Sequence, residues 1–306
     1  MNVGIVFPGQ GSQSVGMLDT WLEHPASRAV IDEATEVLGT DIAELCRDAV
    51  ALERTETTQQ AVLTADVAAY RVLEAEGLVP LAVAGHSLGE FAALVASGAC
   101  DFGPVLTVVR ERSLAMADAG DAQPGTMLAL IGLSLEQAHE IADEARADGI
   151  LVVANENSAM QTVLAGDPAA IERAEVLTRE RKGKPIRPNV AGAFHSPLMD
   201  PARQRIDAAL DDLEIRAPHV PIVQNVTAEP TTDPATILAN LRVHVISSVH
   251  WVATMAKLAE LGSEMIIEAG PGDVLGRMAK RDHRELTIAS ARTPQEAIDA
   301  AAAATA

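Results

Sequence analysis

Side chains able to attack a carbonyl, take up a proton or hold a charge fall into four short segments of this chain. Gly85-His86-Ser87-Leu88-Gly89 is a GxSxG sequence between an apolar stretch, Leu81 to Gly85, and a helical pattern, Ser87 to Ser97, closed by Gly98. Glycines at that spacing relieve crowding in a tight strand-to-helix turn, which projects the serine oxygen and sets it near a helix N-terminus. A serine held so is a nucleophile once a base lies beside it. His195, in Ala193-Phe194-His195-Ser196-Pro197, is the expected base, because it sits just before a helix start and can face a cleft. His86 is expected to point away from its neighbour Ser87. His219, His250 and His283 lie in segments with no other chemical signature.

Gly9-Gln10-Gly11-Ser12-Gln13 follows an apolar stretch, Val3 to Phe7. A glycine-rich loop at a strand end offers backbone N–H groups to an anion. It reads as a phosphate loop without the P-loop lysine, as an oxyanion hole if it lies beside Ser87, or as a plain turn. Arg112, in Val109-Arg110-Glu111-Arg112-Ser113-Leu114-Ala115-Met116, can bind a carboxylate through two parallel hydrogen bonds. Its spacing alone equally fits a solvated helix residue.

These segments need a scaffold. The chain has 306 residues, of which 48% are hydrophobic and only 2% aromatic, so a packed core built mainly from Ala, Val, Leu and Ile is expected. Apolar stretches alternate with helical patterns, which predicts an α/β fold. Val3 to Phe7 and Leu81 to Gly85 read as buried strands. Ala61, Val62, Ala65, Ala68, Ala69, Val72 and Leu73 recur at helical spacing before Gly77. Between Gly125 and Ala193 the rhythm changes. Met127 to Gly132, Ile150 to Ala154, Gln161 to Ala165 and Ile186 to Val190 read as strands. Ser134 with Gln137, and Asp167 with Pro168, open two helices. The order βαββαβ is that of a ferredoxin-like unit, inserted as residues 125–193 into a larger subdomain of residues 1–124 and 194–306. Ser196-Pro197 and Asp233-Pro234 start further helices. Ile222 to Val226, Met265 to Glu268 and Leu286 to Ala289 read as strands, and Ala300 to Ala306 as a fraying helix.

Composition narrows the function. A formal net charge of −20 argues against nucleic-acid binding. Cys46 and Cys100 form no CxxC pair, so neither a metal nor a redox site is expected. The N-terminus lacks the pattern of a signal peptide, and no segment approaches the ~20 apolar residues of a membrane span. A soluble, cytoplasmic protein is expected.

Taken together, the motifs closely resemble those of the malonyl-CoA:acyl carrier protein transacylases. The resemblance runs from Phe7-Pro8-Gly9-Gln10-Gly11-Ser12-Gln13 through Gly85-His86-Ser87-Leu88-Gly89-Glu90, the Arg112 helix, Asn155 and Asn157 with Gln161, Ala193-Phe194-His195-Ser196 and Val249-His250-Trp251 to Glu268-Ala269-Gly270-Pro271-Gly272. It implies an α/β-hydrolase-like large subdomain with a ferredoxin-like insertion. It also implies Ser87 as nucleophile, His195 as base, and the amides of Gln10 and Leu88 as oxyanion hole. Arg112 would hold a malonyl carboxylate, with Met116, Asn157, Gln161 and Phe194 as further substrate-binding residues. In related polyketide acyltransferases, Ala-Phe-His accompanies malonyl selection. A main-chain carbonyl at the position of His244, where glutamine is more usual, would orient His195. Malonyl-CoA and an acyl carrier protein would be the partners, with no metal or other cofactor. Family members are commonly monomers, so a monomer is expected. Docking of an acidic carrier is expected at basic clusters containing Arg181, Lys182 and Lys184, and Lys280 and Arg281. The rival readings are an α/β-hydrolase esterase or thioesterase, which shares GxSxG, and a malonyl-transfer subunit of malonate decarboxylase.

Overall fold

The computed structural model describes residues 1–305. Ten strands form two sheets: β1 (Val3–Phe7), β2 (Ala82–Gly85), β3 (Thr126–Ile131), β4 (Leu151–Ser158), β5 (Gln161–Gly166), β6 (Lys184–Ile186), β7 (Ile222–Val223), β8 (Pro230–Thr231), β9 (Met265–Ala269) and β10 (Thr287–Ala291). The first sheet has the order β10-β9-β1-β2-β7-β8. Its pairs are parallel except for β7 with β8. β1 and β2 are central and wholly buried, which is why they read as unbroken apolar runs. Their register pairs Phe7 with Gly85. The glycine-rich loop and the Ser87 turn therefore leave neighbouring strands side by side, at the carboxyl edge where α/β sheets carry their sites.

The second sheet is antiparallel with the order β4-β5-β3-β6, and its strands all lie between Thr126 and Ile186. With the helices Leu135–Arg146 and Pro168–Glu180 this is the βαββαβ order of a ferredoxin-like unit. Ser134 and Gln137 form the expected reciprocal capping box. Asp233 likewise caps its helix through Thr236 N at 2.9 Å. Asp167 and Pro168 stand at the helix start as expected, but the Asp167 carboxylate makes no cap bond and instead accepts from Ile150 N at 2.5 Å, tying the helix start to β4.

Other departures have local causes. β6 ends at Ile186, not Val190, because Pro188 lacks the N–H that a continuing strand would donate. Pro185 is tolerated because β6 is an edge strand. β4 runs on past Ala154 to Ser158, through two register shifts, and so carries Asn155 and Asn157. β7 stops at Val223, where Gln224 and Asn225 turn their side chains to other partners. The alanine-rich end is not a fraying helix. Pro294–Thr305 buries Ala297, Ala300, Ala301 and Ala304, a stripe at helical spacing, against the helix Thr55–Ala75 and β10. Small side chains allow close approach, and Ala304 O accepts from the Met1 ammonium at 2.7 Å. Ala306 lies outside the described residues. Among the described residues no helix is long and apolar enough to cross a membrane, and no group of metal-ligating side chains occurs.

Candidate active site

Close backbone packing builds the serine turn. A Cβ at Gly85 would lie 1.9 Å from Gly89 C, and one at Gly89 would lie 2.1 Å from Phe7 O. Both glycines of the motif are thus required by contact. Gly9 is a third case, with a Cβ position 2.5 Å from His86 O. Ser87 itself has φ of 50°, a left-handed conformation uncommon for a residue with a side chain. That backbone aims Oγ at His195 Nε2, 2.7 Å away.

His195 is buried and also left-handed, with φ of 58°. Its Nδ1 lies 3.1 Å from His244 O and 3.0 Å from Ser247 O. Carbonyls only accept, so Nδ1 carries the proton and Nε2 presents a lone pair to the serine. Burial holds the imidazole down to about 3, Arg112 and His86 push the same way, and the two carbonyls oppose them. At neutral pH the ring is an uncharged acceptor.

Arg112 is not a solvated helix residue: it is only 2% exposed. Nη1 donates to Gln59 Oε1, and Nη2 lies 3.3 Å from Ser87 Oγ. The guanidinium carbon sits 5.5 Å from the centroid of the Phe91 ring. Burial lowers its pKa to about 10, against the pull of Glu90, so it remains charged at pH 7. Gln59 also donates to Met116 Sδ at 3.4 Å, which fixes the carboxamide that in turn fixes the guanidinium.

A cavity of about 190 Å³ joins these groups, lined by Ser87, Arg112, Met116, Phe194, His195 and Asn155 among others. Gln10, Leu88 and Asn157 line it too, as do Pro188 and Val190, the segment that leaves β6. The amides of Gln10 and Leu88 enter no hydrogen bond among the described residues, whereas Ser87 N donates to Asn225 Oδ1 at 2.7 Å. A second cavity of about 150 Å³ shares Gln10, His86 and Asn157 with the first, and adds Gln161, Leu275 and Met278. Gln161 therefore lines the second cavity and not the one that holds Ser87. His86 does not point away as expected. The residue lines both cavities, with Nε2 2.8 Å from Asn157 Oδ1 and the ring edge-on to Trp251. A larger surface cleft, about 690 Å³, lies at the opposite edge of the parallel sheet, around Leu78, Pro80 and His219, and contains none of these groups.

The sequence reading missed Gln59, Asn225 and the Ser247 carbonyl of this site. Gln59 carried no distinguishing signal, because its helix, Thr55–Ala75, has many other polar residues, Glu56, Gln60 and Asp66 among them. For Asn225 the signal was a polar pair, Gln224-Asn225, interrupting an apolar run at a strand end.

The description "Acyl transferase domain" matches residues 5–302. The malonyl CoA-acyl carrier protein transacylase of Bacillus subtilis (strain 168) is 36% identical over 298 residues, covering 96% of this chain and 94% of that one. The crystal structure of an acyl-carrier-protein S-malonyltransferase from Burkholderia pseudomallei 1710b superposes with a TM-score of 0.95 at 38% identity, covering 99% of this chain and 100% of the other. A malonyl-transacylase solved in complex with a type II PKS acyl-carrier protein superposes with a TM-score of 0.94 at 32% identity, covering 99% and 100%. The chain therefore belongs to the acyl transferase domain family, among the malonyl CoA-acyl carrier protein transacylases.

Proposed function

We propose that the chain transfers a malonyl group from malonyl-CoA to the phosphopantetheine thiol of an acyl carrier protein, by way of a malonyl ester on Ser87. The observation that carries this reading is one small cavity holding a nucleophile, its base at 2.7 Å and a buried cation at 3.3 Å from the attacking oxygen. A hydrolase of neutral esters has no use for that cation. The names of the relatives, and the carrier complex of one of them, agree with the reading.

His195 Nε2 takes the hydroxyl proton as Ser87 Oγ attacks the thioester carbon. The oxyanion is held by the Gln10 and Leu88 amides, which is supported by the commitment of Ser87 N to Asn225. Collapse expels the coenzyme A sulfur, which takes the proton back from His195. The malonyl carboxylate meets Arg112 throughout. The carrier thiol then gives its proton to His195, attacks the ester carbonyl and leaves with the malonyl group, freeing the Ser87 hydroxyl. No metal or redox step enters this sequence. Phe194 and Met116 bound the acyl group, and Asn157 and Gln161 face the pantetheine arm. The His244 carbonyl orients the base.

The reading further takes residues 125–193 as a subdomain inserted between 1–124 and 194–306, with the cleft between the two sheets. The carrier docks across the mouth of that cleft. Lys182, Lys184 and Lys280 are exposed and form no ion pair among the described residues, which supports them as docking cations. Arg181 and Arg281 are held by Glu144 and Asp282. We take the protein to act as a cytoplasmic monomer, which light scattering tests. Free, buried Cys46 and Cys100 fit a reducing compartment.

Mass spectrometry after incubation with malonyl-CoA tests the whole reading. A malonyl mass gain on the Ser87 peptide is expected, stable in buffer and lost on adding holo-carrier protein. Labelling that survives Ser87→Ala, or that decays in water as fast as with carrier, overturns it.

A further inference from the structure

The strained serine turn raises the question of what holds it. A non-glycine residue in the left-handed region is strained and persists only when its surroundings over-determine it. At Ser87 the determining group comes from far along the chain. The Asn225 carboxamide spans the turn: Oδ1 accepts from Ser87 N at 2.7 Å, and Nδ2 donates to Gly85 O at 2.6 Å. The two partners fix the orientation of the amide, since one can only donate and the other can only accept. Asn225 therefore clamps the peptide groups on both sides of His86.

Asn225 is itself held. Its backbone N donates to Glu90 Oε2 at 2.7 Å, and the neighbouring Gln224 Nε2 donates to Glu90 Oε1 at 3.1 Å. Glu90 and Asn225 are both fully buried. Gln224 Oε1 accepts from Asn240 Nδ2 at 2.8 Å, and His244 Nε2 lies 3.3 Å from Asn225 Oδ1. Hence Glu90, the last residue of the GHSLGE motif, acts on the serine through Asn225 and not at the reacting atoms.

Resting on the assignment of Ser87 as nucleophile, we infer that Asn225 is a positioning residue for that serine, with Glu90 as the anchor that fixes it. The clamp sets the direction of Ser87 Oγ toward His195. By consuming Ser87 N it also leaves the next amide, Leu88 N, to face the oxyanion. A displacement of about 1 Å at a reacting centre costs roughly 100-fold in rate.

The test uses Asn225→Ala and Asn225→Asp in the full chain, with malonyl-CoA as the acyl donor and rapid-quench measurement of Ser87 acylation. Asn225→Ala removes both bonds without adding a charge. The expected result is an acylation rate lowered about 100-fold, with the KM for malonyl-CoA changed less than threefold. Asn225→Asp is isosteric. As a carboxylate it sets two oxygens against Gly85 O and Ser87 N. As a neutral acid it restores one acceptor and one donor. Its activity relative to wild type should therefore rise at least tenfold between pH 8 and pH 5.5. The other titratable groups around the turn, Glu90, His86, His195, His244 and Arg112, are common to both proteins, so the ratio isolates position 225.

Acylation within threefold of wild type for Asn225→Ala overturns the inference. A ratio for Asn225→Asp that does not change with pH while near-UV circular dichroism stays native overturns it as well. If Asn225→Asp is unfolded at pH 8, Asn225→Ala alone decides. Ser87→Ala is run in parallel. Persistent labelling there sinks the nucleophile assignment, whereas loss of labelling there with normal Asn225 variants sinks only the clamp.

Discussion

Malonyl differs from acetyl by one carboxylate, so replacing Arg112 separates recognition of that charge from acyl transfer in general. The guanidinium is 2% exposed, remains protonated with a pKa of about 10, and is fixed by Gln59 on one side and the Phe91 ring on another. Losing one partner of a buried, hydrogen-bonded charge pair costs about 2–5 kcal/mol. At about 1.4 kcal/mol per tenfold, Arg112→Ala should cut kcat/KM for malonyl-CoA roughly 30- to 4,000-fold. Acetyl-CoA should be used as well as before or better, for two reasons. The site no longer holds an unpaired cation, and His195 is freed of a charge that depresses its basicity. Arg112→Lys should recover only part of the malonyl activity, because one ammonium cannot reproduce the two-donor fork that Gln59 and Phe91 hold in place. The assay is kcat/KM for both substrates on all three proteins. Equal losses for malonyl and acetyl would refute the reasoning and leave Arg112 as a support for the fold.

Three further outcomes are expected. Phe194→Ser opens volume beside the acyl group and should raise kcat/KM for methylmalonyl-CoA relative to malonyl-CoA, within the ~1–3 kcal/mol that one methyl discriminates; an unchanged ratio would leave Phe194 as core. Lys182→Glu with Lys280→Glu should raise the KM for carrier protein at low salt and leave acylation by malonyl-CoA alone intact; an unchanged carrier KM removes these patches from the docking surface. Asp66 is fully buried with neither carboxylate oxygen partnered, and burial followed by the nearby Glu268 raises its pKa well above the usual range. Its contribution to stability is then whole below the unfolded value of about 3.9 and is lost as pH rises through the raised one. Asp66→Asn should melt higher than wild type by a margin that widens from pH 5 to pH 9, and a margin constant with pH would contradict this.

What was legible in the sequence is what local sterics dictate. Glycines at 85 and 89 announce a strand-to-helix turn because no Cβ fits at either position, and Ser87 between them follows. The alternation of strands and helices, and the capping box at Ser134 and Gln137, are likewise local. Asn225 lies 138 positions from Ser87 and Gln59 lies 53 from Arg112. Their partnerships are made by strand order and helix packing, which no spacing encodes. Asn225 meets the serine turn because β7 runs beside β2, although the whole βαββαβ unit separates them in the chain. The alanine-rich terminus misled for a related reason. Its composition is that of a frayed end, and only the partner helix Thr55–Ala75 turns its small residues into a packing stripe.

The histidine at position 244 illustrates how a role in the proposed mechanism can be indifferent to a side chain. In that mechanism His195 is oriented by two carbonyls, of Ser247 at 3.0 Å and of residue 244 at 3.1 Å, and a carbonyl survives any substitution that keeps the local 3₁₀ turn His244–Ile246. The ring is left to be accommodated elsewhere. It packs edge-on to His195 and to Phe91, with centroids 5.4 and 6.1 Å away, and its Nε2 reaches Asn225 Oδ1. Burial, then the neighbouring His195 and Arg112, hold it well below the ordinary histidine range. It is therefore neutral at physiological pH, and adds no positive charge beside a base that must stay unprotonated. A neutral imidazole can donate through Nε2 to the carboxamide that grips Ser87, while its buried Nδ1 has no partner among the described residues. The site thus absorbs an unusual residue by giving its backbone one task and its ring another.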